Sequence, residues 1–512
     1  MADEVELKLA LPEAAQRPFL RHPLLQRAVA RKTERLINLY YDTPAQELRK
    51  RGIALRLRRQ GQLWLQTVKC AGRSAAGLTS RPEWEVPYTG QFDFSGVDAA
   101  EVSTWLERDK IRTRIAPLFE TNFLRTTWRF EPTPGVALLL ALDRGWIAAA
   151  GRHEAISELE IEIVTGEPAH LFDLAREIAG RIPLAPALLS KAERGYRLFH
   201  GTPPAPVKAG AISLHAAMPP LAAFRTIALA CLEHLQHNHE GAATRDDPEY
   251  IHQMRVATRR LRAALRLFAP LLPPDLAAAL LPPLRGQMAL LGAARDMDVL
   301  LAEIAAPVMA ALAVEPRLAA LVGLITERRH RHRNAAMQAL RSAHFGQLVL
   351  LAGDLLHRPP FHPPAAAGEQ TLAAFADNRI RRLRRKVRRL ALAANVDDPV
   401  SLHALRIGVK RLRYALEFFG LLARGKSWRT SVGHLTRLQD ALGQINDLAN
   451  AGRMLMECAG EDGRLREAVA LIGGWHGPRY AALLGAVPEG LRQLHKLRLP
   501  RLVKRNGTRE PL

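Results

Sequence analysis

The hydrophobic pattern of the chain changes its period once, near residue 200, and this change separates two kinds of fold. Before that point, short runs alternate apolar and charged residues, which is the period-2 pattern of β-strands. After it, long segments rich in Ala, Leu and Arg carry apolar residues at helical spacing. The intervening segment, residues 201–209, is rich in Pro and Ala and indicates a linker. A chain of 512 residues organised in this way is expected to contain several domains.

The alternating runs in residues 1–200 predict strands, with helical segments near residues 20–32 and 168–180. The strands are expected at residues 4–8, 54–58, 63–69, 83–86, 123–130, 136–142 and 158–164. Charged side chains share one face of each strand, because residues i, i+2 and i+4 point the same way. A half-exposed sheet would also have a polar face. Recurring acidic and basic strands with apolar alternates favour instead a closed barrel with a polar lumen.

The series of motifs along this region resembles the CYTH domains, the triphosphate tunnel metalloenzymes, over about residues 1–200. The motifs are Glu4-x-Glu6-x-Lys8, Tyr40-Tyr-Asp-Thr43, Leu55-Arg-Leu-Arg58, Thr67-Val-Lys69, Arg81-x-Glu83-x-Glu85, Leu142-Asp-Arg-Gly145, Glu158-Leu-Glu160 and Ser190-Lys-Ala-Glu-Arg-Gly-Tyr196. The resemblance implies an α+β domain with a closed, antiparallel, eight-stranded β-barrel tunnel. It also implies hydrolysis of a triphosphate with a divalent metal, Mg²⁺ or Mn²⁺. Both signs of charge suit that chemistry, since Arg and Lys bind phosphate oxygens and carboxylates hold hard cations.

The resemblance assigns roles to individual residues. Metal-binding carboxylates would be Glu4, Glu6, Glu158 and Glu160, with Glu162 on the same face nearer the rim. Substrate-binding residues would be Lys8, Arg56, Arg58, Lys69, Arg125 and Lys191, with Arg129 on the strand face of Arg125 and with Glu83 and Glu85, which would line the lumen or pair with arginines. The catalytic set would be Glu4, Glu6, Lys8, Arg56, Arg58, Lys69, Asp143, Glu158 and Glu160.

The substrate class stays open at this point. The CYTH family includes inorganic triphosphatases, thiamine triphosphatases, RNA 5′-triphosphatases and one class of adenylate cyclases. We expect inorganic triphosphate, because a tunnel for three phosphates needs no base-recognition pocket. A polyphosphate-binding protein with little catalysis and an enzyme for an organic triphosphate are the alternatives.

The helical half contains an internal repeat. Residues 251–265 resemble residues 402–416, and residues 291–296 resemble residues 442–447, in both cases 151 positions later. Two blocks with one offset predict an all-α region of two related helical bundles. The bundles are expected at about residues 215–358 and 368–505, after a linker at 201–214 and on either side of a Pro/Ala-rich break at 359–367.

Each copy of the repeat places a histidine and a basic stripe on one helix face. The stripes comprise His252, Arg255, Arg259, Arg262 and Arg266 in the first copy and His403, Arg406, Lys410 and Arg413 in the second. Like charges on one helix face repel one another, and a bound polyanion would relieve that repulsion. A solvated basic face is the alternative. The repeated acids Asp296 and Asp447 are expected to hold arginines extended towards the ligand.

This arrangement resembles the CHAD domain over about residues 215–505. The resemblance implies binding of inorganic polyphosphate in a basic cleft, with His252 and His403 as hydrogen-bond donors. The charge distribution agrees, since residues 1–200 hold 29 Lys+Arg and 25 Asp+Glu while the rest holds 44 and 25. Specific nucleic-acid binding is not expected, because no aromatic–basic interleaving marks a stacking platform.

Cysteine use and hydropathy predict the location. Cys70, Cys231 and Cys458 are far apart and form no CxxC pair, which favours a reducing compartment. We expect no signal peptide, no transmembrane helix and no membrane partner. The prediction is therefore a cytoplasmic protein, with polyphosphate granules as one location that the helical half would allow. The sequence indicates no oligomeric state.

Overall fold

The computed structural model of the chain describes residues 4–358, 371–423, 426–497 and 502. The described residues form two compact units. The first comprises residues 4–207, 239–241 and 339–358, and the second comprises the others. The predicted Pro/Ala-rich break at 359–367 lies outside the described residues, as do parts of the second predicted bundle.

The first unit is built on one antiparallel sheet that curves into a nearly closed barrel. Its strands are β1 (Glu4–Ala10), β2 (Ala30–Asp42), β3 (Ile53–Gln60), β4 (Leu63–Cys70), β5 (Arg73–Ala75), β6 (Leu78–Arg81), β7 (Glu83–Pro87), β8 (Ala116–Phe130), β9 (Ala137–Ala149), β10 (Arg152–Thr165) and β11 (Ala185–Pro186). The strand order is β5-β6-β1-β10-β9-β8-β2-β3-β4-β7, and β11 pairs with β1.

The barrel nearly closes where the chain passes from β6 to β7. Strand β6 pairs with β1 and β7 pairs with β4, and only Pro82 separates the two. A proline cannot donate to a ladder, so the chain changes its partner there. Cys70 N–H donates to Pro82 O at 3.2 Å across the seam. Nine strands thus surround the lumen, and counting β6 and β7 as one bent strand gives the predicted eight.

The apolar alternates of the strands face outwards and form the core of the unit. Leu7, Leu9, Leu159 and Ile161 are fully buried and belong to a cluster that includes Phe172. The helices of this unit are α1 (Gln16–Leu20), α2 (Glu47–Lys50), α3 (Ala100–Leu106), α4 (Asp109–Arg112), α5 (Pro168–Ala179), α6 (Lys191–His200) and α13 (Ala343–His357). Because the apolar side chains pack outside the barrel under helices such as α5, the polar side chains that alternate with them point into the lumen.

A buried carboxylate links three elements of the barrel. Asp42, at the end of β2, is fully buried and accepts hydrogen bonds from the N–H groups of Thr43, Leu48 and Arg49. It also accepts a 2.8 Å hydrogen bond from the hydroxyl of Tyr196 on α6. These contacts explain two of the sequence motifs, because Asp42 ties α2 and α6 to the barrel wall.

Two glycines of the motifs are required by close packing. A Cβ on Gly145 would lie 2.1 Å from Asn122 O on the neighbouring strand. A Cβ on Gly195 would lie 2.1 Å from the ring of Phe119, which packs directly under α6. Both positions therefore exclude a side chain, and Gly195 lets α6 approach the barrel.

Helix α13 lies in the barrel unit although its residues follow the first helices of the other unit. Leu350 belongs to the barrel core, and Arg176 on α5 forms a 2.7 Å ion pair with Asp354. Gly346 approaches the backbone of Leu184 so closely that a Cβ would overlap it. The domain limits at residues 200 and 215 stay predictions of the sequence.

The described residues of the second unit form helices joined by loops, with no strand among them. Its helices are α7 (Pro220–His237), α8 (His239–Thr244, shared at its start with the barrel unit), α9 (Pro248–Phe268), α10 (Pro274–Val299), α11 (Ala306–Ala311), α12 (Pro316–Arg341), α14 (Leu372–Leu392), α15 (Pro399–Phe418), α16 (Lys426–Ala459) and α17 (Gly463–Lys496). Helix α9 packs on α7, α10 and α15, and α15 packs on α14 and α16.

The internal repeat appears in the helix boundaries. Helices α9 and α15 begin at Pro248 and Pro399, and Asp247 and Asp398 cap them with side chains that accept backbone N–H groups. These positions are again 151 residues apart. The predicted fold class, a barrel domain followed by a helical region, is confirmed, and the repeat lies on equivalent helices.

Two local expectations for the barrel half were wrong or incomplete. The helix expected near residues 20–32 is a 3-10 segment, Pro23–Arg27, because sheet pairing already starts at Val29, whose N–H donates to Arg129 O at 2.9 Å. Strand β2 was not predicted, because its exposed first half, residues 30–35, contains almost no apolar side chains.

One helical stretch among the described residues, Pro274–Ala311, is long and apolar enough to span a membrane by length and composition alone. Only 22% of its most apolar window is buried. A single stretch of this kind is weak evidence, because helices of other proteins meet the same criterion. The absence of a membrane segment therefore stays a prediction.

We expect Asp42→Ala to lower the free energy of unfolding of the barrel unit by about 3 kcal/mol or more, because four hydrogen-bond donors lose their buried acceptor. Differential scanning calorimetry of the full chain measures this as a lower melting temperature. Tyr196→Phe removes only one of the four hydrogen bonds and should lower the free energy of unfolding less, by about 1 kcal/mol. Equal effects of the two variants would contradict the central role of Asp42.

Candidate functional site

Strand register brings the predicted charged residues together in the barrel lumen. Between β1 and β10, Glu6 lies opposite Glu162 and Lys8 opposite Glu160. Between β9 and its neighbours, Asp143 lies opposite Glu158 on β10 and Arg125 on β8. Directly opposed residues share a face of the sheet. The faces that the sequence indicated separately are therefore one continuous inner surface.

An acidic group lies at one side of the lumen. Asp143, Glu158 and Glu160 each place one carboxylate oxygen within 4.8 Å of the others. Lys191, from the start of α6, contacts all three and lies 2.6 Å from Asp143. Arg125 forms a two-pronged contact with Asp143 at 2.6 and 2.7 Å and also contacts Glu160. These cations lower the pKa of Glu160 well below its ordinary value, although its burial alone would raise it.

A second group of ion pairs crosses the seam of the barrel. Arg81 lies 3.2 Å from Glu4 and 2.8 Å from Glu6. Lys69 on β4 lies 2.8 Å from Glu4, and Lys8 lies 2.8 Å from Glu6. These contacts connect β1, β4 and β6, so ion pairs join the sheet where its ladder is interrupted.

The basic wall of the lumen is formed by β3 and its neighbours. Arg56 lies 3.4 Å from Glu83, and Arg58 lies 3.7 Å from Glu85. Burial, together with the positive charge of Arg56, lowers the pKa of Arg58 to about 10. Burial alone would raise the pKa of Glu83, but Lys69 and Arg56 lower it to about 2. The contacts of the β7 acids therefore show the predicted pairing with arginines, and their lining of the lumen stays a prediction.

Five cations converge on one small cavity in the lumen. Its nine lining residues are Lys8, Tyr40, Ala54, Arg56, Lys69, Arg81, Ser190, Lys191 and Ala192. Its volume is about 30 Å³, which is roughly the share of one water molecule in the liquid. The cavity therefore has little free space, and its cations are held by the carboxylates of the lumen.

The lumen acids fit a hard divalent cation. Mg²⁺ and Mn²⁺ prefer carboxylate oxygens, and Asp143, Glu158 and Glu160 present three that converge. Of the predicted metal ligands, Glu158 and Glu160 belong to this group, which also includes Asp143. Glu4, Glu6 and Glu162 lie outside it, and their assignment as ligands stays a prediction.

Glu162 nevertheless faces the same lumen. Burial, and then the negative charges of Glu4, Glu6 and Glu160, raise the pKa of Glu162 to about 7. The four carboxylates are therefore close enough to repel one another, and a cation among them would relieve that repulsion.

Three charged or aromatic contributors to the lumen were not predicted, and one predicted residue lies elsewhere. Arg81, Tyr40 and Arg194 line the lumen or bind its acids, with Arg194 lying 3.0 Å from Glu158. The sequence offered signals for two of them, since Arg81 precedes Glu83 on one strand face and Arg194 lies one helical turn after Lys191. Arg129 instead pairs with Glu131 at 2.9 Å with its side chain 40% exposed, and this contact does not favour its predicted role in substrate binding.

In the second unit, five residues of the two predicted basic stripes line a common cavity of about 500 Å³. We call this cavity the cleft. Its basic lining residues are Arg259, Arg262, Arg266, Arg379, Arg406, Lys410 and Arg411. Helices α9, α14 and α15 supply them. Arg379 and Arg411 were not in the predicted stripes. Arg379 reaches the cleft because α14 packs beside α15, and Arg411 follows Lys410 on α15 itself.

The cleft concentrates positive charge with little compensation. Burial, and then the neighbouring Arg259 and Arg406, lower the pKa of Lys410 to about 7. The Nε–H groups of Arg259, Arg262, Arg379 and Arg406 are buried without a hydrogen-bond partner among the described residues. Buried donors of this kind are uncommon, and an anionic ligand would satisfy them.

The predicted histidines and acids, and Arg255 and Arg413 of the stripes, are not among the residues that line the cleft. Burial, together with the charge of Arg295, lowers the pKa of His252, and His403 is exposed with its Nδ1 3.1 Å from the Asn446 amide oxygen. Asp296 lies 3.5 Å from Arg255, as expected for an acid that holds an arginine in place. Arg413 lies 2.8 Å from Gln439 and also contacts Glu417, so it is engaged within the protein.

Comparisons with known families and proteins cover both halves of the chain. The CYTH domain matches residues 2–196, and the CHAD domain matches residues 226–456. A protein of Haemophilus influenzae named inorganic triphosphatase is 29% identical over 198 residues, which are 39% of this chain and 55% of that protein. The alignment thus spans little more than half the length of this curated relative.

Two solved structures are similar to separate parts of the chain. The CHAD domain from the plant Ricinus communis is 36% identical, with a TM-score of 0.49 over 57% of this chain and 98% of its own. A Hippeastrum protein described as having a dominant triphosphatase activity is 22% identical, with a TM-score of 0.28 over 39% of this chain and 95% of its own.

We expect Asp143→Asn to weaken the binding of Mn²⁺ to the full chain by about tenfold or more, because a convergent oxygen ligand loses its charge. Isothermal titration calorimetry measures the affinity. Glu154→Gln is the matched control, because Glu154 is a barrel acid that pairs with Arg194 outside the three-acid group. Equal affinities of the Asp143 variant and the control would contradict the assignment of the acidic group.

Proposed function

Because this chain carries a CYTH domain followed by a CHAD domain, we propose that its barrel hydrolyses inorganic triphosphate with a divalent cation and that its helical half binds inorganic polyphosphate. The observation that carries the first part is the convergence of five cations on one lumen cavity beside three carboxylates. The name of the Haemophilus influenzae relative supports it. The proposed location is the cytoplasm.

In this proposal the basic residues of the lumen bind the phosphate groups and the acidic residues hold the cation. Lys8, Arg56 and Lys69 would bind phosphoryl oxygens, and Lys191 would reach the terminal phosphoryl group from α6. Asp143, Glu158 and Glu160 would hold the cation, which when bound supplies neutralisation of the phosphate charge. Cations fixed before the reaction stabilise charge that develops on the transferred group, and they need no reorganisation at that moment.

Orientation of the phosphate chain follows from the two sides of the lumen. The acidic group lies on β9 and β10, and the basic wall lies on β3 and β4. A chain of phosphates between them can contact the cation on one side and guanidinium groups on the other. The lining of the cavity contains one aromatic residue, Tyr40, whose ring stacks on Phe119. That lining provides phosphate contacts rather than a platform for a nucleobase, which favours an inorganic substrate.

The decisive experiment compares phosphate release from tripolyphosphate, ATP and thiamine triphosphate in the presence of Mg²⁺ or Mn²⁺. We expect the highest kcat/KM for tripolyphosphate. Arg58→Gln should lower that value by about a hundredfold, because a lumen donor to the phosphoryl oxygens is lost. The neighbouring Arg59 is exposed and bonds to Gly61 O, so Arg59→Gln should leave kcat/KM unchanged.

Several outcomes would overturn the proposal for the barrel. Faster turnover of thiamine triphosphate would indicate an organic substrate, and release of cyclic AMP from ATP would indicate a cyclase. Equal kcat/KM values for the Arg58 and Arg59 variants would show that the reaction does not take place in the lumen. No turnover of any of the three would favour a protein that only binds polyphosphate.

For the helical half, the cleft predicts a pH-dependent affinity for polyphosphate. Burial and the charges of Arg259 and Arg406 lower the pKa of Lys410, so a bound polyanion must raise that pKa by stabilising the ammonium form. Binding above about pH 7 then takes up a proton, and affinity should fall by up to about tenfold per pH unit as pH rises from there. Isothermal titration calorimetry between about pH 7 and 9 measures this fall.

Lys410→Arg keeps the charge throughout this range, so its affinity should stay constant while that of the unmodified chain declines. Lys410→Met should bind weakly at every pH. The exposed Lys496 provides the control, because Lys496→Arg should leave the pH profile unchanged. A profile that Lys410→Arg fails to flatten would exclude Lys410 as the titrating group.

A further inference from the structure

Helix α14 carries more positive charge than its contact with the cleft requires. Between Leu372 and Leu392 it has eight basic residues and one acid, Asp377. Within the described residues, the carboxylate paired with these basic side chains is Asp377, which contacts Arg381. The other basic residues of the helix have no acidic partner in that part of the structure.

The helix divides its arginines between two sides. Ile380 and Val387 are buried and mark the face that packs into the bundle. Arg379 and Leu383, one turn apart, line the cleft. Arg381, Arg384, Arg385 and Arg388 follow one another at i, i+3, i+4 and i+7, which places them on one stripe at about the opposite side of the helix.

That stripe lines a groove of its own. The groove has a volume of about 670 Å³, and its lining residues are Ala374, Asp377, Asn378, Arg381, Arg384, Arg385 and Arg388. We call it the outer groove. Arg384 and Arg388 donate to the carbonyl oxygens of Leu497 and His495, which hold their guanidinium groups in place. The Nε–H of Arg384 is buried without a partner among the described residues.

Exposed basic residues connect the cleft with the outer groove. Arg382, Lys386 and Arg389 are exposed and lie on the solvent side of α14, between the two lined surfaces. Positive charge therefore continues around the helix from Arg379 to Arg388. A flexible polyanion that leaves the cleft would meet cations at each step along this path.

We propose that the outer groove is a second polyphosphate-binding site, which engages the part of a long chain that extends beyond the cleft. This inference rests on the proposed function of the helical half. The groove lining contains no aromatic side chain, whereas binding of single-stranded nucleic acid usually relies on base stacking. Its chemistry suits a chain of phosphates without bases.

A second site on the same chain makes affinity depend on chain length. The cleft and the outer groove lie on about opposite sides of α14, which is about 10–12 Å wide with its side chains, so a short oligophosphate held within the cleft does not extend around the helix to the groove. A long chain can occupy both, and the second contact then becomes intramolecular. The protein should therefore prefer long chains, and the preference should reside in the outer groove.

The test measures the affinity of the full chain for a short-chain and a long-chain polyphosphate, in EDTA so that the barrel does not turn the ligand over. The groove variant Arg381→Gln/Arg384→Gln/Arg385→Gln/Arg388→Gln should bind the long chain roughly tenfold more weakly, with a shallower salt dependence. It should bind the short chain with unchanged affinity. The milder Arg381→Gln/Arg385→Gln keeps the two carbonyl contacts and should show the same pattern to a smaller extent.

Two controls separate the groove from net charge and from the cleft. Arg331→Gln/Arg464→Gln/Arg479→Gln/Arg492→Gln removes the same charge from other exposed positions of the helical unit and should leave both affinities unchanged. The cleft variant Arg259→Gln/Arg406→Gln should weaken both chains. If the cleft variant affects neither chain, the proposed polyphosphate function fails, whatever the groove variant shows.

The inference itself is overturned by two results. One is an equal loss of long-chain affinity in the groove variant and in the charge control. The other is single-stranded DNA that competes with the long chain for the groove on equal terms, which would make the surface a general polyanion site. A loss confined to the groove variant and to long polyphosphate supports it.

Discussion

The barrel depends on enclosing charges of both signs in one lumen, where each sign compensates the other. Removing charged groups from water is costly, and opposed carboxylates and cations recover that cost only when their geometry is close. Lys191 with Asp143, and Arg81 with Glu4 and Glu6, show this compensation. The same pairs suit ligands of both signs, because a metal–phosphate complex, as proposed, would replace each partner with one of equal charge. Such binding would exchange ion pairs and would create no new buried charge.

The helical unit solves the opposite problem. Its cleft gathers charges of one sign, and the depressed pKa of Lys410 and the Nε–H groups of Arg259 and Arg406, which have no partner in the described part of the chain, show that these charges are little compensated there. A bound polyanion, as proposed, would act as the counterion and would relieve this repulsion. The barrel thus pairs charges of both signs, whereas the cleft gathers charges of one sign.

The alternation of apolar and charged residues within each strand allowed the inward faces of β1, β3 and β10 to be predicted. Glu6, Lys8 and Arg56, for example, lie at the charged positions of this alternation. The resemblance to known motifs supplied Lys191, which no strand pattern would indicate. Arg81 and Tyr40 escaped prediction because their roles depend on which strands are neighbours, and register across a sheet is not written in any one strand. In the helical unit, the stripes of α9 and α15 were predicted from spacing. Arg379 joins them through helix packing, which spacing within one helix does not reveal.

The proline at the barrel seam determines more than a change of partner. On either side of Pro82, Arg81 and Glu83 both point inwards, one towards the acids of β1 and the other towards the cations of β4. This is possible because one residue separates them, and residues two positions apart along a strand point to the same face. An insertion of one residue here would turn one of the two charges towards the apolar exterior. The closure of the barrel and the charges that line it therefore depend on the same residue, Pro82.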